Sequence, residues 1–442
     1  MDAVIRQCLV ELFELGIPKY VSRDIEVPLL KDMVTIVVGG RKVGKTYLTY
    51  QLIDTLLHQQ KISSLRQVCY LHFDDERLLE LQTDDLRRID ALFLELTDAS
   101  PQTPLVFVFD EIHRVKNWEY FVLRLNRNPN WHVVVTGSSA DLEEDNVGRQ
   151  LRGKSFTVKL HPLSFEEFLR FKGESFRPTR HSVADEARLS RLFEQYMQMG
   201  SYPAMPGIAA VEQREVLRQY FNSVVASDFV DRRKINHPLS CKIYLRNLLQ
   251  KNSAAYTHKK ERNTLSSIGH KVPANVIADW FNWAETAYLI GVNAVDSPSI
   301  KKQEQNYRKI YAIDWAMANA VSSFGEPRTS RTLESIVYWH LKRRGLRTSY
   351  TLLGPHKNEI DFVVARPEAP PHLAIQVCLD LADPDVLQRE TAAFAFLTTQ
   401  RYAAARPLIL TLHAPPSSVR TEYPLHNVWK WILDPGEVES SI

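Results

Sequence analysis

The sequence predicts an α/β chain of several domains: a parallel sheet around a phosphate-binding loop, then a helical region, then a second α/β domain. Three stretches carry this prediction. Gly39-Gly40-Arg41-Lys42-Val43-Gly44-Lys45-Thr46 fits G-x-x-x-x-G-K-T, and lies between an apolar, β-branched run (Met33 to Val38) and a helically spaced one (Tyr47 to Leu57). Leu105-Val106-Phe107-Val108-Phe109 is a second apolar run, and it ends in the adjacent acids Asp110 and Glu111. Arg331 to Arg344 opens a C-terminal succession of helix, three strands, helix and strand.

A chain of 442 residues exceeds what a single core organises, and two to four domains are expected. Hydrophobic residues at 44% and charged residues at 24% fit a soluble globular protein. The net charge of +3 is too small to argue for nucleic acid by itself. Cys8, Cys69, Cys241 and Cys378 are scattered without zinc-ligand spacing, which predicts a reducing, cytoplasmic setting. Neither a basic-then-apolar leader nor an apolar run of bilayer length is present, so no membrane partner is expected.

In chain order, residues 3–15 have helical spacing and stop before Gly16-Ile17-Pro18. Arg23-Asp24-Ile25 precedes the first strand, with no contact fixed by the sequence. The loop of Gly39 to Thr46, with Tyr47 after it, is then the expected nucleotide site. Its glycines allow the backbone N–H groups of Gly40, Arg41, Lys42 and Val43 to turn onto phosphate oxygens, and the following helix adds its positive end. Lys45 is expected on the β- and γ-phosphates and Thr46 on Mg²⁺. Gln67 to Phe73 reads as a strand. Asp74-Asp75-Glu76 after it either face the metal or cap the next helix. Helical patterns fill 77–97.

Buried strands rarely end in two carboxylates, because burying charge without a partner is costly. A magnesium ion held by Asp110 and Thr46 explains the first acid, and a water polarised by Glu111 the second. Trp131 to Thr136 is another strand, ending in Gly137-Ser138-Ser139. Ser138 or Ser139 suits a polar sensor beside the γ-phosphate, or only ends the strand. Ser155 to Leu160 is a last strand, and Ser164 with Glu167 fits a capping box.

These pieces form an ordered series: the loop, Phe109 to Trp118, Thr136 to Ser139, Leu151-Arg152-Gly153-Lys154 and Pro162 to Leu169. The series resembles a large group of prokaryotic ATPases related to the origin-recognition and archaeal AAA-type ATPases. Later matches are Tyr196 to Pro203, Asp228 to Arg233, Tyr311 to Asp314 and Glu359 to Phe362, so the resemblance covers almost the whole chain. It implies an ASCE/AAA-type P-loop ATPase domain at 1–180, a helical and winged-helix region at 181–325, and a degenerate restriction-endonuclease-like domain at 326–442. Homo-oligomers are expected by the same analogy. Relatives usually carry an arginine where this chain has Lys154, so the charge-neutralising finger is left among Lys154, Arg152 and Arg149. Lysine cannot make arginine's bidentate phosphate contact.

In the middle region, residues 183–222 read as helical with a break at Gly200 to Pro203, and Val225 to Lys234 as helical again. Ser240 to Gln250, Asn263 to Ile268 and Pro273 to Ile290 read as three helices, with Arg308 to Ile313 as a wing strand. His258, Lys259, Lys260, Arg262, His270 and Lys271 surround a candidate recognition helix. Double-stranded DNA is therefore a candidate partner, the alternative being that this region only packs on protein. In the C-terminal domain Glu334 lies on the helix and Asp361 on a strand. Restriction-type chemistry also needs acid-x-lysine, and this chain has Gln376 and Cys378 there. An inert relative is expected, with Lys357 or Glu390 as unsupported substitutes.

The expected function is Mg²⁺-dependent ATP binding and hydrolysis, with nucleotide state controlling the later domains and engagement of DNA or a protein partner. The alternatives are an ATP-bound switch with little turnover and, less favoured, an ATP-regulated nuclease.

Overall fold

The computed structural model describes residues 1–138, 142, 150, 151, 153–177, 182–297, 299, 307–322, 329–353, 358–397, 401–414, 419–434 and 436. The chain forms two compact units. Unit 1 is Met1–Pro162 with Thr286–Tyr288, and unit 2 is Leu163–Glu285 with Leu289–Ile442.

Unit 1 begins with α1 (Asp2–Leu15), which buries Ile5, Cys8, Leu9 and Leu12. Its strands are β1 (Val34–Gly39), β2 (Val68–His72), β3 (Leu105–Asp110), β4 (Trp131–Ser138) and β5 (Ser155–Lys159). They pair in parallel in the order β2-β3-β4-β1-β5. A parallel sheet is covered on both faces, so its central strands read as unbroken apolar runs rather than alternating ones. All six residues of β1 and of β3 are buried accordingly. The helices are α2 (Lys45–His58), α3 (Thr83–Leu86), α4 (Ile89–Thr97) and α5 (Trp118–Leu125). One core joins α1, the sheet, α4 and α5 through Leu9, Ile36, Leu71, Phe93, Phe107 and Phe121.

Strand order positions the site. The chain leaves β1, crosses to the far edge at β2, and returns so that β4 lies between β3 and β1. Because the strands are parallel, the loop after β1 and the acids ending β3 open at the same end of the sheet. Ligands bind in the crevice outside the carboxyl ends of such sheets, where strand order reverses.

In unit 2, α6 (Phe165–Phe171) starts with the expected capping box of Ser164 and Glu167. It is followed by α7 (Val183–Met199) and α8 (Ala210–Val224). The expected helix after Val224 is a π-helix over Val225–Asp231. Then come α9 (Pro238–Gln250), β6 (Ala254–Tyr256), α10 (His258–Ser267), α11 (Ala274–Thr286), β7 (Ile290–Asn293) and β8 (Arg308–Ala312). Two boundaries differ from expectation. α10 starts five residues early because Thr257 caps it, its side chain accepting from the Lys260 N–H at 3.3 Å. The last helix stops at Thr286 rather than Ile290. Tyr288 takes left-handed φ of 53°, which ends the helix and lets Ile290 enter a strand. β6 and β7 flank β8 in an antiparallel sheet.

The chain continues through α12 (Trp315–Val321) and α13 (Thr329–Arg343) to β9 (Arg347–Leu353), β10 (Asn358–Ala365) and β11 (Leu373–Cys378). α14 (Pro384–Thr391), β12 (Arg406–Thr411), β13 (Leu425–Asn427) and α15 (Val428–Leu433) complete it. The sheet is mixed, ordered β13-β12-β11-β10-β9: β9, β10 and β11 are antiparallel, and β11, β12 and β13 parallel. The pairing of β9 with β10 slips between Ile360 and Val363, so Asp361 sits in an irregularity, where side chains are re-aimed. The helix expected to reach 399 is shorter: α14 ends at Thr391, and a 3₁₀ turn covers Phe394–Phe396.

Candidate functional site

Gly39 is the last residue of β1, and a Cβ there would run into the Leu160 carbonyl oxygen. Glycine is thus needed for the close approach of the chain leaving β5. Gly44 is needed for its backbone: φ is 98°, and it caps α2. Lys42 also takes left-handed φ, 63°, and its side chain is exposed, as is that of Tyr47. Arg41 is half-buried and Val43 is buried.

Lys45 is buried, and its ammonium donates to the carbonyls of Gly39 and Gly40 at 3.3 Å each. It also lies 3.4 Å from Glu111 Oε1. Thr46 Oγ1 donates to Asp110 Oδ2 at 2.6 Å, joining the loop after β1 to the end of β3. Asp110 is fully buried. Its other oxygen accepts from the Thr136 hydroxyl, and Tyr70 OH and His72 Nε2 approach Oδ2 at 3.4 and 3.3 Å. Burial pushes the Asp110 carboxyl above its usual range, while His72, Thr136 and Thr46 pull the other way.

Glu111 follows with φ of 57°, and its N–H donates to Thr136 Oγ1 at 3.1 Å. His113 Nδ1 stands 3.4 Å from Glu111 Oε2. Gly137 leaves room for that histidine: a Cβ there would be 2.8 Å from His113 Nδ1 and 2.7 Å from Leu142 Cδ1. Ser138 ends β4 directly opposite Gly39. Ser139, Arg149 and Arg152 lie outside the described residues.

β5 pairs Ser155 with Val34 and Lys159 with Val38, so Lys154 lies at the opening end of β1, a strand length from the phosphate loop. Of the acids after β2, Asp75 caps, accepting from the Arg77 N–H at 2.9 Å.

Sequence reasoning missed several supporting groups. Buried Arg23 donates to the carbonyls of Val43 at 2.9 Å and His161 at 2.7 Å, bracing the phosphate loop. Its backbone is held by Gln51 through two hydrogen bonds of 2.7 and 2.9 Å. Nothing in the local sequence of Arg23 announces this, since its partners are backbone carbonyls. Thr136 was legible only as a strand residue. A hydroxyl in an otherwise apolar run was the available signal.

The donor set suits a hydrated divalent ion with a polyphosphate. It offers a carboxylate and a hydroxyl oxygen, which are hard ligands, beside a buried ammonium and a helix N-terminus.

In unit 2, Asp361 is buried; its N–H donates to Gln376 Oε1 at 2.8 Å, and its Oδ2 accepts from the Val377 N–H at 3.0 Å. Gln376 Nε2 donates to Glu390 Oε2 at 2.9 Å. Burial pushes the Cys378 thiol up to about 12, so it is a neutral group and no stand-in for an ammonium. Lys357 lies outside the described residues. The lysine that reaches Asp361 is Lys309 from β8, which sequence reasoning had placed in a wing strand. Lys259, Lys260 and Lys271 are exposed around α10. The exposed positions of α11 include Asn275, Asp279, Asn282 and Glu285.

A family model described as an AAA domain matches residues 31–169, which span β1 to α6, and a domain of unknown function (DUF8612) matches residues 190–328. The glycine-bounded loop, the acid-tipped β3 and the strand between them define an AAA-type P-loop ATPase. Within that class the chain belongs to the family of the Methanocaldococcus jannaschii protein named "Uncharacterized protein MJ1544". The two are 30% identical over 379 residues, which are 85% of this chain and 81% of that protein. A Haemophilus influenzae protein is 27% identical over 355 residues, 80% of this chain and 84% of its own. Among solved structures, a Walker-type ATPase of Pyrococcus abyssi is 14% identical with a TM-score of 0.38, covering 65% of this chain and 90% of its own. Cdc6p from Pyrobaculum aerophilum is 13% identical with a TM-score of 0.25, covering 73% and 97%. Among the described residues no helix is long and apolar enough to cross a membrane.

Proposed function

We propose that the chain binds ATP with Mg²⁺ at Gly39–Thr46 and hydrolyses the β–γ anhydride, and that nucleotide state sets its engagement of a macromolecular partner. The observation that carries this is the 2.6 Å hydrogen bond between Thr46 and Asp110, which puts a metal-type hydroxyl and carboxylate at one point beside Lys45. Thr46 and Asp110 would hold the ion, which offsets charge on the phosphate oxygens. Lys45 leaves the carbonyls of Gly39 and Gly40 for the β- and γ-phosphates. The backbone N–H groups of Gly40 to Gly44 receive phosphate oxygens at the start of α2. Glu111, released from Lys45 by the same exchange, accepts from the attacking water and orients it. His113 and the Thr136 hydroxyl keep Glu111 in place. Ser138, opposite Gly39, is the proposed sensor.

Radiolabelled ATP tests the assignment. Lys45→Ala is expected to abolish phosphate release and weaken nucleotide binding, and Glu111→Gln to retain ATP without turnover. Wild-type turnover in either variant removes that residue from its role.

A second reading, an ATP-bound, DNA-associated switch with little turnover, draws on exposed Lys259, Lys260 and Lys271. Single-turnover hydrolysis with and without duplex DNA separates the two.

A further inference from the structure

Lys309 Nζ lies inside a cage of three carboxylates: Glu334 Oε1 at 2.8 Å, Asp361 Oδ1 at 2.9 Å and Glu359 Oε1 at 2.5 Å. The acids come from two elements, Glu334 from α13 and the others from β10. Lys309 comes from β8, whose ladder neighbours on either side are Ala255 and Asn293. Two of the acids are held by further partners. Tyr311 OH donates to Glu334 Oε1 at 2.7 Å, and the Val377 N–H fixes the second oxygen of Asp361. The ring of Tyr350 closes another side, its centroid 6.0 Å from Nζ.

All three nearest ligands of this nitrogen are carboxylate oxygens, the donor set of a hard divalent cation. Lysine is suited to substitute for such an ion, being a compact point charge with no acceptor of its own. One ammonium offsets only one of three carboxylates. The surplus negative charge and the burial together account for Glu334, whose carboxyl is raised to about 7 by burial first and by Asp361 as well. Burial alone would lower Lys309, but Asp361, Glu334 and Glu359 outweigh it and hold the ammonium charged. A second, independent observation comes from the strand beside β8. Asn293 faces Lys309 across the ladder, on the same side of the sheet, and is completely buried. Neither its amide nitrogen nor its amide oxygen has a hydrogen-bond partner among the described residues. Buried amides without partners are rare, and ordered water or an ion is what satisfies one.

We propose that this cage is a divalent-cation site whose ion has been replaced from within the chain, with the Lys309 ammonium standing where a metal would be held. Strand β8 is thereby fastened to α13 and β10, and the cage closed to free metal. The ammonium is tethered, so it competes with any metal from within the chain and independently of protein concentration.

The test uses the nucleotide-free full chain and Mn²⁺ as probe, with bound ion measured by electron paramagnetic resonance. Wild type and Asp361→Asn are expected to bind the same amount, any ion at the phosphate loop being common to both. Lys309→Ala is expected to gain a bound ion that Lys309→Ala/Asp361→Asn loses. Mn²⁺ is also expected to raise the melting temperature of Lys309→Ala and leave that of wild type unchanged. Lys309→Met, which keeps the apolar stem, serves if the alanine variant does not fold. A wild-type ion lost in Asp361→Asn overturns the proposal, as does a folded Lys309 variant that gains none. If neither variant folds, the wild-type comparison decides alone: equal binding supports the internal cation, and an Asp361-dependent ion refutes it.

Discussion

Gly39→Ala and Gly40→Ala are adjacent substitutions in the same loop, and the structure separates their outcomes. A Cβ on Gly39 would collide with the Leu160 carbonyl oxygen, and would lie 3.3 Å from that carbonyl's carbon and 3.1 Å from Val43 Cγ2. The obstructing atoms belong to the backbone leaving β5, where the Leu160 N–H donates to the Val38 carbonyl at 2.8 Å, so relief means prising β5 from β1. Overpacking of this kind costs about 1–3 kcal/mol. For a unit of this size that is a fall in melting temperature of about 2–12 °C. A Cβ on Gly40 would meet nothing closer than Val43 Cγ1 at 3.6 Å, and Gly40 has no left-handed φ. Alanine there reduces the freedom of the unfolded chain and should be neutral or stabilising by about 0.4–1 kcal/mol. Differential scanning calorimetry without nucleotide or Mg²⁺ makes the comparison free of any effect on phosphate binding. A Gly39→Ala protein that melts with or above Gly40→Ala refutes the packing argument.

Two further outcomes concern pH. Because burial raises the Asp110 carboxyl, the metal-free fold binds this proton more tightly than the unfolded chain, and stability falls as pH rises through the folded value. Asp110→Asn should therefore melt higher than wild type at neutral pH without Mg²⁺ while losing ATP hydrolysis; a lower melt contradicts the assignment. Glu334, raised to about 7 from an ordinary 4.5, contributes stability that is complete below about 4.5 and lost as pH rises through about 7. Urea denaturation at intervals from pH 5 to 8 should show Glu334→Gln with a flatter profile than wild type. An unchanged slope places the titration elsewhere.

The nucleotide unit was legible because its determinants are local. Six consecutive buried residues in β1 require a run that is apolar but for Thr35, whose hydroxyl donates to the Pro28 carbonyl, and fixed spacing is what brings Gly39, Gly44, Lys45 and Thr46 around one turn. The acids at 110 and 111 were conspicuous because their charge follows a core strand. Strand order was not legible, since placing β4 between β1 and β3 depends on crossovers that leave no trace in periodicity. Arg23 escaped notice because it binds carbonyls, which any sequence supplies. The partners of Lys309 escaped notice for a related reason, although its strand was expected. Its partners lie 25, 50 and 52 residues away on other elements, and no local spacing links them to it. The end of α11 failed on a single backbone torsion at Tyr288, where a tyrosine takes the conformation usually left to glycine or asparagine.

The brace supplied by Arg23 has a consequence for where this ATPase begins. The AAA-domain match starts at residue 31, yet the guanidinium that steadies the Val43 carbonyl comes from eight positions earlier. Trimming the protein to the limits of the matched domain would keep every signature residue and discard the clasp that shapes their loop. The functional unit is longer at its front than its hallmark motifs suggest.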